Sequence, residues 1–331
     1  MIAYRFSRMW ARDYDRDMCW EVAISLYIPD DLLGHVPNPC VQSRLGNVIQ
    51  TIDNDGLRYN GETPPPEESA ILAVGDSYAY GEEVNDGETW PAYLQKLTGR
   101  RVLNGGVTGY GFDQTVLRAE QLTNRYTPSV IIVSFIEDDL KRAELSTLWW
   151  RNKPWFAMEN GQLIYKAAGE PDGAKLPRLL HSILGRCFHK LPPRLEARAH
   201  LVENTLVASL PPKLQHQIGY CVRVHPAGVG IEIAQRLVER LAKLQKYRGS
   251  KVVIMAQYPP WVWADWSEAK RQRHATQVIL DRAGAFGIAT LDTYNRIAAE
   301  SAPDRLYAKG HMNARGNAMI ASLLAATHRP D

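Results

Sequence analysis

The sequence lacks the features that would place it in a membrane, a secretory route or a zinc fold. No stretch approaches the ~18 consecutive apolar residues of a membrane-spanning helix. The four cysteines, Cys19, Cys40, Cys187 and Cys221, are widely spaced and include no C-x-x-C pair. They read as thiols, not as zinc ligands or a disulfide framework. Met1 to Glu21 is rich in Arg and Asp and has no apolar core segment. That argues against a secretory signal, and a cytoplasmic protein is expected. Net charge is only +3 over 331 residues, which gives no reason to expect nucleic acid as a partner. No G-x-G-x-x-G joins a strand to a helix, so the dinucleotide fingerprint is not met. Internal repeats are absent too. Apolar residues make up 45% and charged residues 23% of the chain, the proportions of a packed globular fold.

What is present is organised around Ile71-Leu72-Ala73-Val74-Gly75-Asp76-Ser77. A short apolar run bounded by glycine fits a buried strand of a parallel sheet. A serine just past the carboxyl end of such a strand sits where open α/β sheets place their ligands. A helix starting there would offer free N–H groups to a developing negative charge. The combination suits a nucleophilic serine in acyl transfer. Gly-Asp-Ser also serves as an ordinary turn and N-cap, so the rest of the chain must decide.

From Ala70 onward strand and helix alternate. Strands are expected at 70–74, 101–104, 129–136, 251–257 and 288–292. Helices are expected at 89–97, 112–125, 230–247, 267–285 and 313–326. Such alternation predicts a doubly wound parallel sheet with helices on both faces. Residues 1–69 read as an N-terminal extension with short strands, closed by the stiff linker Thr63 to Glu68. Residues 70–140 and 226–331 form the expected main domain. Residues 141–225 break the alternation and read as a cap-like insertion. It carries a Trp149-Trp150 pair, a hairpin at Glu159-Asn160-Gly161, and a basic stretch from Arg178 to His200 within a Pro-rich helical segment, Leu176 to Pro212. The basic stretch suits a solvated helical face or an anionic partner. Trp261, Trp263 and Trp266 suit either core packing or the enclosure of a sugar ring or acyl chain.

Four blocks fall at carboxyl ends of expected strands: Gly75 to Ser77, Asn104 to Gly109, Glu137 to Asp139, and Gly310 to Asn313. With the lead-in Asp53 to Arg58, the "N-x-G-x-x-G-Y-G-x-D-Q" block at Asn104 to Gln114 and "G-H-x-N-x-x-G-N" at Gly310 to Asn317, the chain resembles the SGNH hydrolases. These are the GDSL-type esterase and lipase superfamily. The resemblance covers roughly residues 47–327, with the insertion unmatched. It implies a flavodoxin-like three-layer parallel sheet and a serine esterase that hydrolyses or transfers an acyl group. Ser77 would be the nucleophile and His311 the general base. The backbone N–H groups of Ser77 and Gly109 would be oxyanion donors. It implies no cofactor and no metal. The expected substrate is an O-acetyl or other short acyl ester on a sugar or small molecule.

Two positions depart from the family pattern. Asp138 stands where an oxyanion-binding Asn is usual, and an ionised carboxylate can only accept. Asp138 would therefore have to be a neutral acid, point away or serve another role. Repulsion within Glu137-Asp138-Asp139 would raise a carboxyl pKa. Ala308 stands where the family carries the acid that orients the histidine. Asp304, a backbone carbonyl or a Ser–His dyad are the replacements open. The alternative is a catalytically impaired binding module on the same fold.

Overall fold

The strongest apolar runs of the chain lie at the centre of its sheet. A strand covered on both faces has no solvent side on which to alternate. Five parallel strands form it: β1 (Ile71–Val74), β2 (Val102–Asn104), β3 (Val130–Phe135), β4 (Lys251–Ala256) and β5 (Ala289–Asp292). Their spatial order is β5-β4-β3-β1-β2, the flavodoxin order. The expected α/β class is therefore what the chain adopts. The computed structural model describes residues 26–63, 65, 69–149, 151–169, 210–217 and 220–327. Met1 to Glu21, most of the Thr63 to Glu68 linker, Trp150, the basic stretch Arg178 to His200 and most of Leu176 to Pro212 lie outside the described residues. So do Cys19 and Cys187.

Strand periodicity sorts the core into two layers. Leu72, Val74, Ile131, Val133, Val252 and Ile254 pack with Val116, Leu117, Ile233, Leu237 and Ile279. Those partners come from helices Phe112–Tyr126, Val229–Arg248 and Trp266–Ala285. On the other face Ile71, Ala73, Ile132, Val253 and Met255 pack with Trp90, Leu94, Ile320 and Leu324. These come from helices Trp90–Thr98 and Ala314–Thr327. Local chemistry sets the helix ends. Thr89 Oγ1 accepts from Ala92 N at 3.1 Å, and Asn313 Oδ1 accepts from Gly316 N at 3.0 Å, each satisfying a first-turn donor.

Residues 27–60 are stitched to the β2 edge. The antiparallel pair Val41–Leu45 and Val48–Ile52 connects through single bridges, Ile52 to Arg58 and Arg58 to Asn104. Leu33 and Leu57 enter the larger core cluster. The buried Arg58 pairs with Asp86 and lies 5.2 Å from the Tyr80 ring centroid. This covering blunts an edge that would otherwise offer unpaired backbone groups.

The described part of 141–225 holds a three-stranded antiparallel sheet, with Leu145–Leu148 between Arg151–Asn152 and Cys221–Arg223. A hairpin, Trp155–Glu159 with Gln162–Lys166, turns at Asn160-Gly161. Both turn residues have positive φ, 50° and 74°, as a tight two-residue hairpin turn demands. The buried Lys153 fastens this layer to the helix Phe112–Tyr126. Its Nζ lies 2.6 Å from Asp113 Oδ2 and also donates to the carbonyls of Leu145 and Pro154. Among the described residues no helix is long and apolar enough to cross a membrane.

Candidate active site

The chain leaves β1 through Gly75, where a Cβ would lie 2.8 Å from the Ser134 carbonyl oxygen, so no larger residue passes. Asp76 then caps the single turn Ser77–Tyr80, accepting from Tyr78 N at 2.9 Å, and Gly81 ends it at φ 80°. The turn holds Ser77 rigidly at the carboxyl edge of the sheet. No described group accepts a hydrogen bond from the Ser77 backbone N–H.

His311 arrives on the short pair Tyr307–Ala308 and His311–Met312. Tyr78 Oη donates to the Gly310 carbonyl at 2.7 Å, locking this turn to the Ser77 turn. His311 Nε2 lies 2.8 Å from Ser77 Oγ. The opposite ring nitrogen, Nδ1, lies 3.6 Å from Glu83 Oε1, while Glu82 Oε2 is 3.5 Å from Nε2. The Nδ1 to Glu83 distance is that of an ion pair, longer than a hydrogen bond. Such contacts are often loose before substrate binds. Burial pulls the His311 pKa down, but Glu83, Glu82 and Asp76 outweigh it and raise the group above its ordinary 6.5. The same contact with His311 holds Glu83 below the usual carboxylate range, with help from Lys309.

Asp304 is not the partner of His311. It sits exposed in the turn Pro303–Leu306, and among the described residues it makes no contact with the imidazole. The 3-10 turn points it to solvent. The acids at His311 come instead from the loop after the serine turn, a place that pattern reading passed over.

Gly109 has φ 80°, and a Cβ there would stand 2.6 Å from Trp149 Cζ3. Glycine thus serves both the left-handed turn and the close approach of an insertion tryptophan. Its N–H has no acceptor among the described residues. Asp138 is held by its own helix. Its Oδ1 pairs with Lys141 Nζ at 2.8 Å and its side chain is 33% exposed. A carboxylate in that pair accepts and has nothing to donate to an oxyanion. The carboxyl pushed up in this cluster is Asp139, by burial first and by Asp76 second, against the pull of Arg142.

Arg142 is the other residue not singled out in the sequence. Its Nη1 reaches Asp139 Oδ1 at 2.7 Å, the Tyr110 carbonyl at 3.1 Å and Asp76 Oδ2 at 3.4 Å. One guanidinium thus joins the ends of three of the four blocks. The tryptophans near residue 263 divide. Trp263 packs against Tyr258 and Tyr294 and donates to Tyr307 Oη at 3.0 Å, while Trp261 and Trp266 are exposed.

No protein-family model and no curated protein matches this sequence. Among solved structures it is similar to an acetylxylan esterase from Geobacillus stearothermophilus, at 13% identity and TM-score 0.45 over 79% of this chain and 95% of that one. An α/β hydrolase from the metagenome of Lake Arreo, Spain, matches at 11% identity and TM-score 0.46, over 80% of this chain and 97% of that one. A lipase/acylhydrolase from Enterococcus faecalis matches at 12% identity and TM-score 0.42, over 78% and 94%. Likeness this remote carries no argument about residues or substrate. The site stands on its own geometry: a serine hydroxyl, an imidazole in reach of it, a carboxylate behind the imidazole, and two unoccupied backbone donors. That set suits nucleophilic acyl transfer.

Proposed function

We propose that the protein is a serine esterase of the SGNH kind. The observation that carries this reading is the 2.8 Å contact between His311 Nε2 and Ser77 Oγ at the carboxyl edge of the parallel sheet. Ser77 Oγ attacks the ester carbonyl while His311 Nε2 takes its proton. Glu83 faces Nδ1, holds the imidazole in the tautomer that leaves Nε2 free to accept, and offsets the charge of the imidazolium. The backbone N–H groups of Ser77 and Gly109 hold the oxyanion. His311 returns the proton to the leaving alcohol, and water or a second alcohol then resolves the acyl-serine. A short acyl ester, such as an O-acetyl group on a sugar or small molecule, is the substrate class we favour.

The reading as a non-catalytic binding module rested on Ala308 and Asp138. Glu83 answers the first, since an acid stands at His311 without block help. The test is reaction with an organophosphonate fluorophore. Wild type is expected to form a covalent adduct that is absent in Ser77→Ala. A folded wild-type protein that takes no label would return the binding module to first place.

A further inference from the structure

Beside Gly109 lies a recess of about 230 Å³, nearly all of it solvent at an open mouth, with room at its floor for about one water-sized atom. Its lining includes His35, Thr108, Gly109, Trp149, Arg151 and Lys153, and no described carboxylate. The Lys153 charge is answered by Asp113 at 2.6 Å. Arg151 differs. Its guanidinium lies 4.8 Å from the Tyr27 ring centroid and makes no ion pair with a described acid. An exposed, stacked and unpaired arginine at a cavity mouth is a receptor for a planar anion.

His35 supplies an independent observation. It is only 9% exposed, and among the described residues neither ring nitrogen makes a well-aligned hydrogen bond, the Thr108 backbone being the polar group beside it. Its ring is fixed edge-on to Tyr27 at 5.4 Å and to Tyr110 at 5.2 Å. Burial pushes its pKa down to about 4, with the nearby Thr108 backbone only partly opposing this. The ring is then neutral near pH 7 and offers one N–H donor. A buried ring whose polar atoms are met only by the nearby Thr108 backbone leaves room at the cavity wall for a polar ligand atom.

The cavity is part of the reaction site through Gly109, which lines it and whose N–H is a donor to the proposed oxyanion. Accepting the serine-esterase reading, we propose that this cavity is the subsite for an anionic group, a carboxylate or phosphate, carried by the ester substrate. Arg151 pairs with the anion and His35 donates to it. Trp149 forms the wall between the anion and the reacting carbonyl. The acids around His311 repel the same group, so the ester has one charge-matched orientation.

The test compares esters that differ only in charge. 4-Nitrophenyl hemisuccinate against 4-nitrophenyl butyrate places the carboxylate on the acyl side. O-Acetylglycolate against ethyl acetate places it on the alcohol side. At least one anionic ester is expected to exceed its neutral partner in kcat/KM by about tenfold or more, through KM, as for a charge-assisted hydrogen bond. Arg151→Gln is expected to erase that preference and Arg151→Lys to keep part of it. Equal rates within both pairs, or a preference that survives Arg151→Gln, would overturn the subsite. Should no ester turn over and no phosphonate attach, the esterase reading fails separately. The subsite is then judged by calorimetric titration of succinate and inorganic phosphate into wild type and Arg151→Gln. Binding lost in the variant sustains it; no binding, or binding indifferent to the change, sinks it.

Discussion

Two groups of side chains flank the proposed site, one beside His311 and one beside Gly109, and they differ in charge. Around His311 the neighbours are Glu82, Glu83 and the buried Asp76. Beside Gly109 they are Arg151, Lys153 and His35. The acidic group acts on His311: it raises the imidazole pKa against burial, while Nε2 lies 2.8 Å from Ser77 Oγ. On the other side Lys153 is tied to Asp113, and only Arg151 makes no ion pair with a described acid. The difference teaches that one side of the crevice is wired to the protein's own machinery and the other is left open for something to arrive.

Removing the base breaks the comparison most severely. His311→Ala is expected to lower kcat by up to about 10⁶, the scale seen when a triad base is deleted. The thermal midpoint should barely move, because the role is proton transfer. Measured turnover with a midpoint fixed by calorimetry checks both halves. Survival of activity would mean that another base serves Ser77.

Glu83→Gln sharpens the acidic side. Its carboxylate favours the imidazolium and so raises the His311 pKa. The base works only when deprotonated, so the acid limb of the kcat/KM profile lies above that of an ordinary histidine. Taking the charge away lowers the pKa, and the limb moves to lower pH. The plateau falls as orientation is lost, by up to about 10⁴. An unmoved limb would show that Glu83 is a bystander and return Ser77 and His311 to a dyad.

The smallest effect is expected at Asp138, which belongs to neither group. Its partner is Lys141, partly in solvent. Asp138→Asn should change stability by no more than the ~0–1 kcal/mol of an exposed pair. Its effect on kcat should fall well below the ~10² of an oxyanion donor. A change on that larger scale would put residue 138 in the oxyanion hole after all.

Much of this was legible before any coordinates. Apolar runs ending in Gly-Asp-Ser, in Asn104 and in Glu137 identify strand ends, and a parallel sheet must bring such ends together. The His311 block could be placed because it matches the family's terminal block and precedes a C-terminal helix. Legibility failed where proximity depends on loops. Asp304 is close to His311 in sequence, yet a 3-10 turn carries it outward. Glu83 is remote from His311 in sequence, and only the Tyr78 to Gly310 hydrogen bond, which docks one turn on the other, brings them together. Arg151 and His35 come from regions outside the strand–helix alternation, where periodicity says nothing about neighbours. Residues 27–60 read as an extension because their strands are short. Their burial comes from a sheet edge that no local pattern announces.

Arg142 has a consequence for motion. Its guanidinium binds the turn before Ser77, the loop before helix Phe112–Tyr126 and the first turn of its own helix. Loops at strand ends ordinarily open one at a time and exchange their amide hydrogens independently. Tied through one half-buried cation, these three are expected to open together. Their amides should share one opening free energy in native-state hydrogen exchange. The crevice would then be either whole or absent, with no half-assembled form to bind an ester in the wrong place.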